Sequence, residues 1–167
     1  MPARRHHEVR PVSAPPPFLR PPGARAEAEF VATCSRGGDC AMACPVSAIV
    51  PLGPAYGEAQ EGTPAVMPRA NACVLCDDLP CIAACPSGAL QPVPRAEVDM
   101  GLAVVDYDRC YAARGRECDE CVAACPVGET ALRVHDGAPV VGAACTGCGK
   151  CEMVCPADPT AIAVRPG

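Results

Sequence analysis

The sequence predicts an α+β fold of short helices and hairpins, held together by groups bound through cysteine rather than by an ordinary apolar core. Three observations carry that prediction. The chain has 167 residues and 15 of them are cysteine. Val, Leu, Ile and Phe together number only 30, and there is no Trp; a charged chain this poor in large apolar side chains is not expected to fold on burial alone. The cysteines also recur four times in one pattern, which marks an internal repeat.

The four groups are "CSRGGDCAMACP" at 34–45, "CVLCDDLPCIAACP" at 73–86, "CYAARGRECDECVAACP" at 110–126 and "CTGCGKCEMVCP" at 145–156. The first holds Cys34, Cys40 and Cys44. The second holds Cys73, Cys76, Cys81 and Cys85, the third Cys110, Cys118, Cys121 and Cys125, and the fourth Cys145, Cys148, Cys151 and Cys155. Each ends in Cys-Pro and is followed by Ala and an aliphatic residue: Ala48-Ile49, Ala89-Leu90, Ala131-Leu132 and Ala161-Ile162. Each unit reads as a cysteine loop, about one helical turn across C-x3-C, a proline exit and a short strand. "TALRVHDGAPVV" reads as a hairpin turning at Asp136-Gly137. "GLAVVDYDRC" reads as a strand, and 51–68, with four Pro and three Gly, as an irregular connection.

Three chemistries use cysteine at this density. Disulfides suit a secreted chain, and the sequence shows no usable signal peptide. Zinc favours two C-x2-C pairs across a longer spacer and gives no reason for a recurring C-x3-C-P. The fourth group, C-x2-C-x2-C-x3-C-P, has the spacing of an iron–sulfur loop, whose first three thiolates hold one cluster while the fourth reaches another. The second group widens this to C-x2-C-x4-C-x3-C-P and the third to C-x7-C-x2-C-x3-C-P, each keeping four thiolates. All fifteen cysteines are therefore candidate metal ligands.

Charge divides the chain. Residues 1–25 carry a net +4 and the remainder a net −9, giving −5 overall. The basic, Pro-rich stretch 1–25 reads as a disordered leader, and 26–167 as one cysteine-rich domain. An acidic body does not suit nucleic acid, and no apolar run is long enough to span a membrane. Arg4-Arg5 is not followed by an apolar stretch, so the expected location is the cytoplasm. Truncation at the start, or export together with a partner, would place the chain in the periplasm instead.

Taken with "LRPPGA" at 19–24, "SGAL" at 87–90, "GLAV" at 101–104 and "CTGCGKCE" at 145–152, the order of spacings resembles the NapG/MauM group of ferredoxin-type proteins. The likeness runs from about Leu19 to the end. It implies a ferredoxin-like polyferredoxin of two intertwined dicluster modules. Such a protein passes single electrons from a membrane-bound quinol-oxidising partner towards a terminal reductase of the nitrate-reductase or methylamine-utilisation type. The resemblance also implies that outer groups pair and inner groups pair. Cys155 would then join Cys34 and Cys40, Cys44 would join Cys145, Cys148 and Cys151, Cys125 would join Cys73, Cys76 and Cys81, and Cys85 would join Cys110, Cys118 and Cys121. The matching spacers behind the first two and last two groups offer pairing of adjacent groups as the alternative, and the sequence leaves the two open.

One position departs from the family. Gly37 stands where the first group should have its second cysteine. In ferredoxins generally, loss of this position goes with a [3Fe–4S] cluster; a [4Fe–4S] cluster with water or Asp39 as ligand, and a site that never fills, are the alternatives. The expected complement is three [4Fe–4S] clusters and one incomplete site. Lys150, the only lysine, lies inside the fourth loop and is a candidate for raising that cluster's potential. Met42 and Met153 are expected to cover clusters as soft apolar side chains, and His135 to sit at a hairpin tip. No triad, phosphate loop or paired carboxylates with a positioned base are present, so the chain reads as a carrier and not an enzyme. A redox or iron sensor using a labile site at Gly37, and a structural zinc protein, are the readings from other classes.

Overall fold

A computed structural model describes residues 15–167. Among them lie helices α1 (Glu27–Thr33), α2 (Asp39–Ala43), α3 (Pro80–Ala83), α4 (Glu120–Ala123) and α5 (Lys150–Val154). The strands are β1 (Ile49–Pro51), β2 (Pro64–Val66), β3 (Leu102–Val105), β4 (Leu132–His135), β5 (Ala138–Val141) and β6 (Ile162–Arg165). Short helices beside small antiparallel sheets give the expected α+β, ferredoxin-like architecture.

One local plan occurs four times. The next-to-last cysteine of each group (Cys40, Cys81, Cys121 and Cys151) is the second residue of α2, α3, α4 or α5. The last cysteine ends the turn: Cys44 and Cys155 cap α2 and α5, while Cys85 and Cys125 lie one residue beyond the caps of α3 and α4. The proline that follows has no N–H to continue the ladder. Helices of one turn do not persist alone in water, so their neighbours must hold them. The Ala-aliphatic pairs do this: Ala48, Ile49, Ala89, Leu90, Ala131, Leu132, Ala161 and Ile162 are all buried.

Hairpins decide which groups meet. β1 leaves the first group and pairs antiparallel with β2, which leads towards the second, in the register Ile49↔Val66. β4 leaves the third group and pairs with β5, which leads to the fourth, in the register Leu132↔Val141. Asp136 (φ 49) and Gly137 (φ 76) make the β4–β5 turn, the left-handed pair that suits the twist of a two-residue hairpin. Each pair of groups is then closed by joining its first segment to its last. β3 pairs with β6, Leu102↔Arg165, and Ala24 bridges Leu90 in the equivalent place of the first pair. The two modules therefore follow one another along the chain and do not intertwine as expected. They meet where the N–H of Cys73 donates to the carbonyl of Cys148 at 3.1 Å, and where the guanidinium of Arg95 reaches the carbonyls of Leu75 and Pro126 at 2.9 and 3.3 Å.

Two expectations need correction. The connection 51–68 is not wholly irregular, because it contains β2. The leader does not extend to residue 25. The N–H of Leu19 donates to the carbonyl of Val66 at 2.9 Å, and the bond is returned at 2.8 Å. Arg20 lies over the rings of Phe18 and Phe30, 4.8 and 4.5 Å from their centroids. It also donates to Glu27, to Thr63 Oγ1 at 2.9 Å and to the carbonyl of Pro64 at 2.8 Å. A guanidinium with its donors satisfied and its faces covered is held as part of the body. Residues 1–14 of the expected leader lie outside the described residues.

Phe30 is fully buried beneath Arg20. The substitution Phe30→Ala is expected to cost about 3–5 kcal/mol, read as a lower guanidinium midpoint for the full chain, with an unchanged slope.

Candidate metal centres

The thiols line four separate voids. Cys34, Cys40 and Cys85 line the first, together with Ser35, Gly37 and Asp39. Cys44, Cys73, Cys76 and Cys81 line the second. Cys110, Cys118, Cys121 and Cys155 line the third, and Cys125, Cys145, Cys148 and Cys151 the fourth. In each, three positions come from one group and the last thiol from its neighbour in sequence. The voids gather thiols from adjacent groups, and not from outer with outer as the resemblance implies, because β1–β2 and β4–β5 fold each group onto the next. Counted with its open mouth, the void is about 650 Å³ at the first site and about 350–380 Å³ at the others.

The voids form a row. Cys81 of the second site feels the charge of Cys40 of the first, Cys73 of the second that of Cys148 of the fourth, and Cys151 of the fourth that of Cys121 of the third. The spatial order is first, second, fourth, third.

These surroundings fit an iron–sulfur cluster better than a single ion. Among the described residues, no three Cys, His, Asp or Glu side chains converge closely enough to hold one metal ion, whereas tetrahedral zinc would draw its thiolates to about 2.3 Å from a common centre. Burial pushes the Cys40 thiol up to about 11, with Cys85 and Cys34 adding to the rise. Burial likewise takes Cys73 to about 12, against the N–H of Leu75 and with Cys148, Cys81 and Cys76 adding. Thiolates so desolvated and crowded need positive charge at their centre. The chain also supplies donors to sulfur. Ala48, Leu90 and Ala161 donate N–H to Cys44, Cys85 and Cys155 at 3.3, 3.4 and 3.4 Å, which gives the residues after three of the four Cys-Pro units a second role. At Cys85, burial would raise the thiol, but the N–H of Leu90, the Ser87 hydroxyl and the N–H groups of Ala89 and Gly88 together lower it. Among the described residues, Thr146 Oγ1 is the one buried side-chain oxygen or nitrogen without a hydrogen-bond partner. It lines the fourth void, beside Cys148, whose thiolate its hydroxyl favours.

The backbone around Gly37 repeats that around Cys148. Gly38 (φ 83, ψ −1) precedes α2 as Gly149 (φ 85, ψ 0) precedes α5, so Gly37 corresponds to Cys148 and Asp39 to Lys150. Before these positions, Arg36, Leu75 and Gly147 share positive φ values of 57, 54 and 68. Lys150 is partly buried at the start of α5, and its N–H favours the thiolate of Cys148. Of the two methionines, Met153 accepts the N–H of Ala72 on sulfur at 3.4 Å. Met42 is 79 % exposed and does not cover a site as expected, because its place in α2 faces outward.

Adjacent pairing makes a measurable claim. With Cys155→Ala, Cys110, Cys118 and Cys121 are expected to become open to alkylation while Cys34 and Cys40 stay protected; Cys85→Ala should do the reverse. Mass-spectrometric mapping of the labelled thiols checks both.

The 4Fe-4S dicluster domain family matches residues 33–89 and 72–129, together more than half of the chain. The first match spans the pair of groups that the structure joins; the second is displaced by one repeat and straddles the two modules. The methylamine utilization ferredoxin-type protein MauM of Paracoccus denitrificans is 41 % identical over 141 residues, covering 77 % of this chain and 62 % of that protein. MauM of Methylobacillus flagellatus is 43 % identical over 112 residues, 65 % of this chain and 47 % of that protein. The ferredoxin-type protein NapG of Escherichia coli is 40 % identical over 120 residues, 70 % of this chain and 52 % of that protein. The chain thus spans about half to three-fifths of the length of these relatives. No solved structure matches it. The chain belongs to the 4Fe–4S dicluster domain family, and its relatives there are the MauM and NapG ferredoxin-type proteins.

Proposed function

We propose that this chain is an electron carrier and not a catalyst, and that the four thiol sets hold iron–sulfur clusters in a row. The observation that carries this reading is the row itself: four sulfur-lined voids in contact sequence, joined in the middle by the Cys73–Cys148 backbone bond. When bound, each cluster supplies reversible one-electron chemistry at a potential the protein can set. The fifteen thiols are the ligands, and three of the four sets are complete. The N–H groups of Ala48, Leu90 and Ala161 favour the more negative, reduced form of the sites they face. Lys150 does the same for the fourth site through its charge.

Donor and acceptor follow from the resemblance to NapG and MauM: a membrane-bound quinol-oxidising ferredoxin-type protein on one side, and a terminal reductase on the other. Among the described residues, no helix is long and apolar enough to cross a membrane, which suits a carrier that docks on a membrane partner. Keeping fifteen thiols free of disulfides suits assembly in a reducing compartment such as the cytoplasm, with export of the loaded protein as the route to the periplasm.

Anaerobically purified protein is expected to contain about 12 iron and 12 acid-labile sulfide from the complete sites alone, more if the first site fills, and to be reduced and reoxidised reversibly. Chelation under reducing conditions should collapse the far-ultraviolet circular dichroism, since binding energy here is folding energy. A colourless protein containing zinc would overturn the reading.

The Thr146 hydroxyl beside Cys148 gives a finer test. Thr146→Val should lower the midpoint potential of one site by roughly 20–60 mV, the one-electron equivalent of a hydrogen bond worth about 0.5–1.5 kcal/mol. Potentiometric titration followed by electron paramagnetic resonance reads this, with the other sites unmoved.

A further inference from the structure

We propose that the Asp39 carboxylate takes the place of the absent cysteine thiolate and completes a four-iron site at Cys34, Cys40 and Cys85. The inference rests on the reading that the thiol sets hold iron–sulfur clusters. Its starting point is the space beside Gly37. A Cβ built on that residue would lie 2.6 Å from Asp39 Oδ2 and 3.6 Å from Ser35 Oγ. The carboxylate therefore occupies the room that a cysteine side chain would enter.

Nothing else accounts for its direction. Gly38 caps α2 and no side chain caps it, so Asp39 is not turned back to satisfy the helix. Among the described residues, the carboxylate has no hydrogen-bond or ion-pair partner. The nearest arginine in sequence, Arg36, sends its guanidinium to the carbonyls of Glu61 and Ala59, each at 3.0 Å. An acid at this helix position is not sufficient, since Glu120 begins α4 in the same way. Glu120 is exposed and does not line the third void, whereas Asp39 is partly buried and lines the first. At the equivalent position of the fourth group, where the thiolate is present, the residue is Lys150.

The φ of Gly37 lies outside the left-handed region, so the backbone does not require glycine there. A cysteine could be accepted if Asp39 swung aside, and the two side chains are alternatives for one place. That exclusivity makes the test. Wild type, Asp39→Ala, Ser35→Ala, Gly37→Cys and the Gly37→Cys/Asp39→Ala double variant are purified anaerobically as full chains. Iron and sulfide are counted, and electron paramagnetic resonance spectra recorded as isolated and after reduction.

The expected result is about 16 iron per chain and no oxidised [3Fe–4S] signal in wild type. Asp39→Ala should lose one iron and gain that signal, and Ser35→Ala should change neither. Gly37→Cys should hold the full count, and adding Asp39→Ala to it should cost nothing. A [3Fe–4S] signal already present in wild type, a first site that stays empty, or Asp39→Ala retaining all its iron would each overturn the proposal. Wild type alone supplies the first two, so a variant that fails to fold does not shelter it. Absence of iron and sulfide from every site would instead bring down the cluster reading itself, and this proposal with it.

Discussion

The structure depends on burying cysteine sulfur beside cysteine sulfur. Each void gathers thiols from two loops and buries at least one, Cys40, Cys73, Cys121 or Cys151, where burial disfavours the thiolate, and positive charge among them offsets that cost. The apolar core that the chain does build, around Leu19, Phe30, Val66, Leu90, Leu132 and Ile162, packs directly against the cysteine loops, and the chain has few large apolar residues beyond it. The helices are a turn or two long and the strands three or four residues, below what either needs to persist alone. Secondary structure here is shaped by the ligand positions as much as it shapes them.

Given that constraint, the connections are economical. A cubane-type site needs a fourth thiol from elsewhere, and the nearest source in sequence is the next loop. A hairpin between consecutive loops brings it there with little closure entropy. β1–β2 and β4–β5 do this in turn, and the β3–β6 pair and the Ala24–Leu90 bridge then seal each unit. The Ala-aliphatic pair after each Cys-Pro is buried in all four repeats, and in the first, second and fourth it lends an N–H to sulfur.

Much of this is legible in the sequence, and what is not has physical reasons. Asp136-Gly137 announces its hairpin because only such residues accept two left-handed positions. Pro64-Ala65-Val66 does not announce β2, since a proline within a short run argues against a strand. Leu19 and Arg20 sit in a basic, proline-rich stretch that reads as leader; only the ring faces of Phe18 and Phe30 show that Arg20 is enclosed. Pairing could not be read from the loops, because the cysteine spacing within a group says nothing about which neighbour lends the last thiol. The alignment of Gly37 with a cysteine was legible from spacing. The direction of the Asp39 side chain was not, since it depends on a rotamer and not on a count of residues.

Position in the row bears on why a cysteine could be lost at Gly37. The spatial order places the first site at one end, with the second and fourth in the middle. An altered ligand at a middle site would sit between two others and change two transfer steps of the proposed path. At the end it changes one terminus only. Charge argues in the same direction. A thiolate replaced by glycine and water removes one negative charge from the cluster's surroundings, whereas a thiolate replaced by a carboxylate conserves it. Asp39 restores what Gly37 gave up, at the helix position where the complete fourth loop carries Lys150.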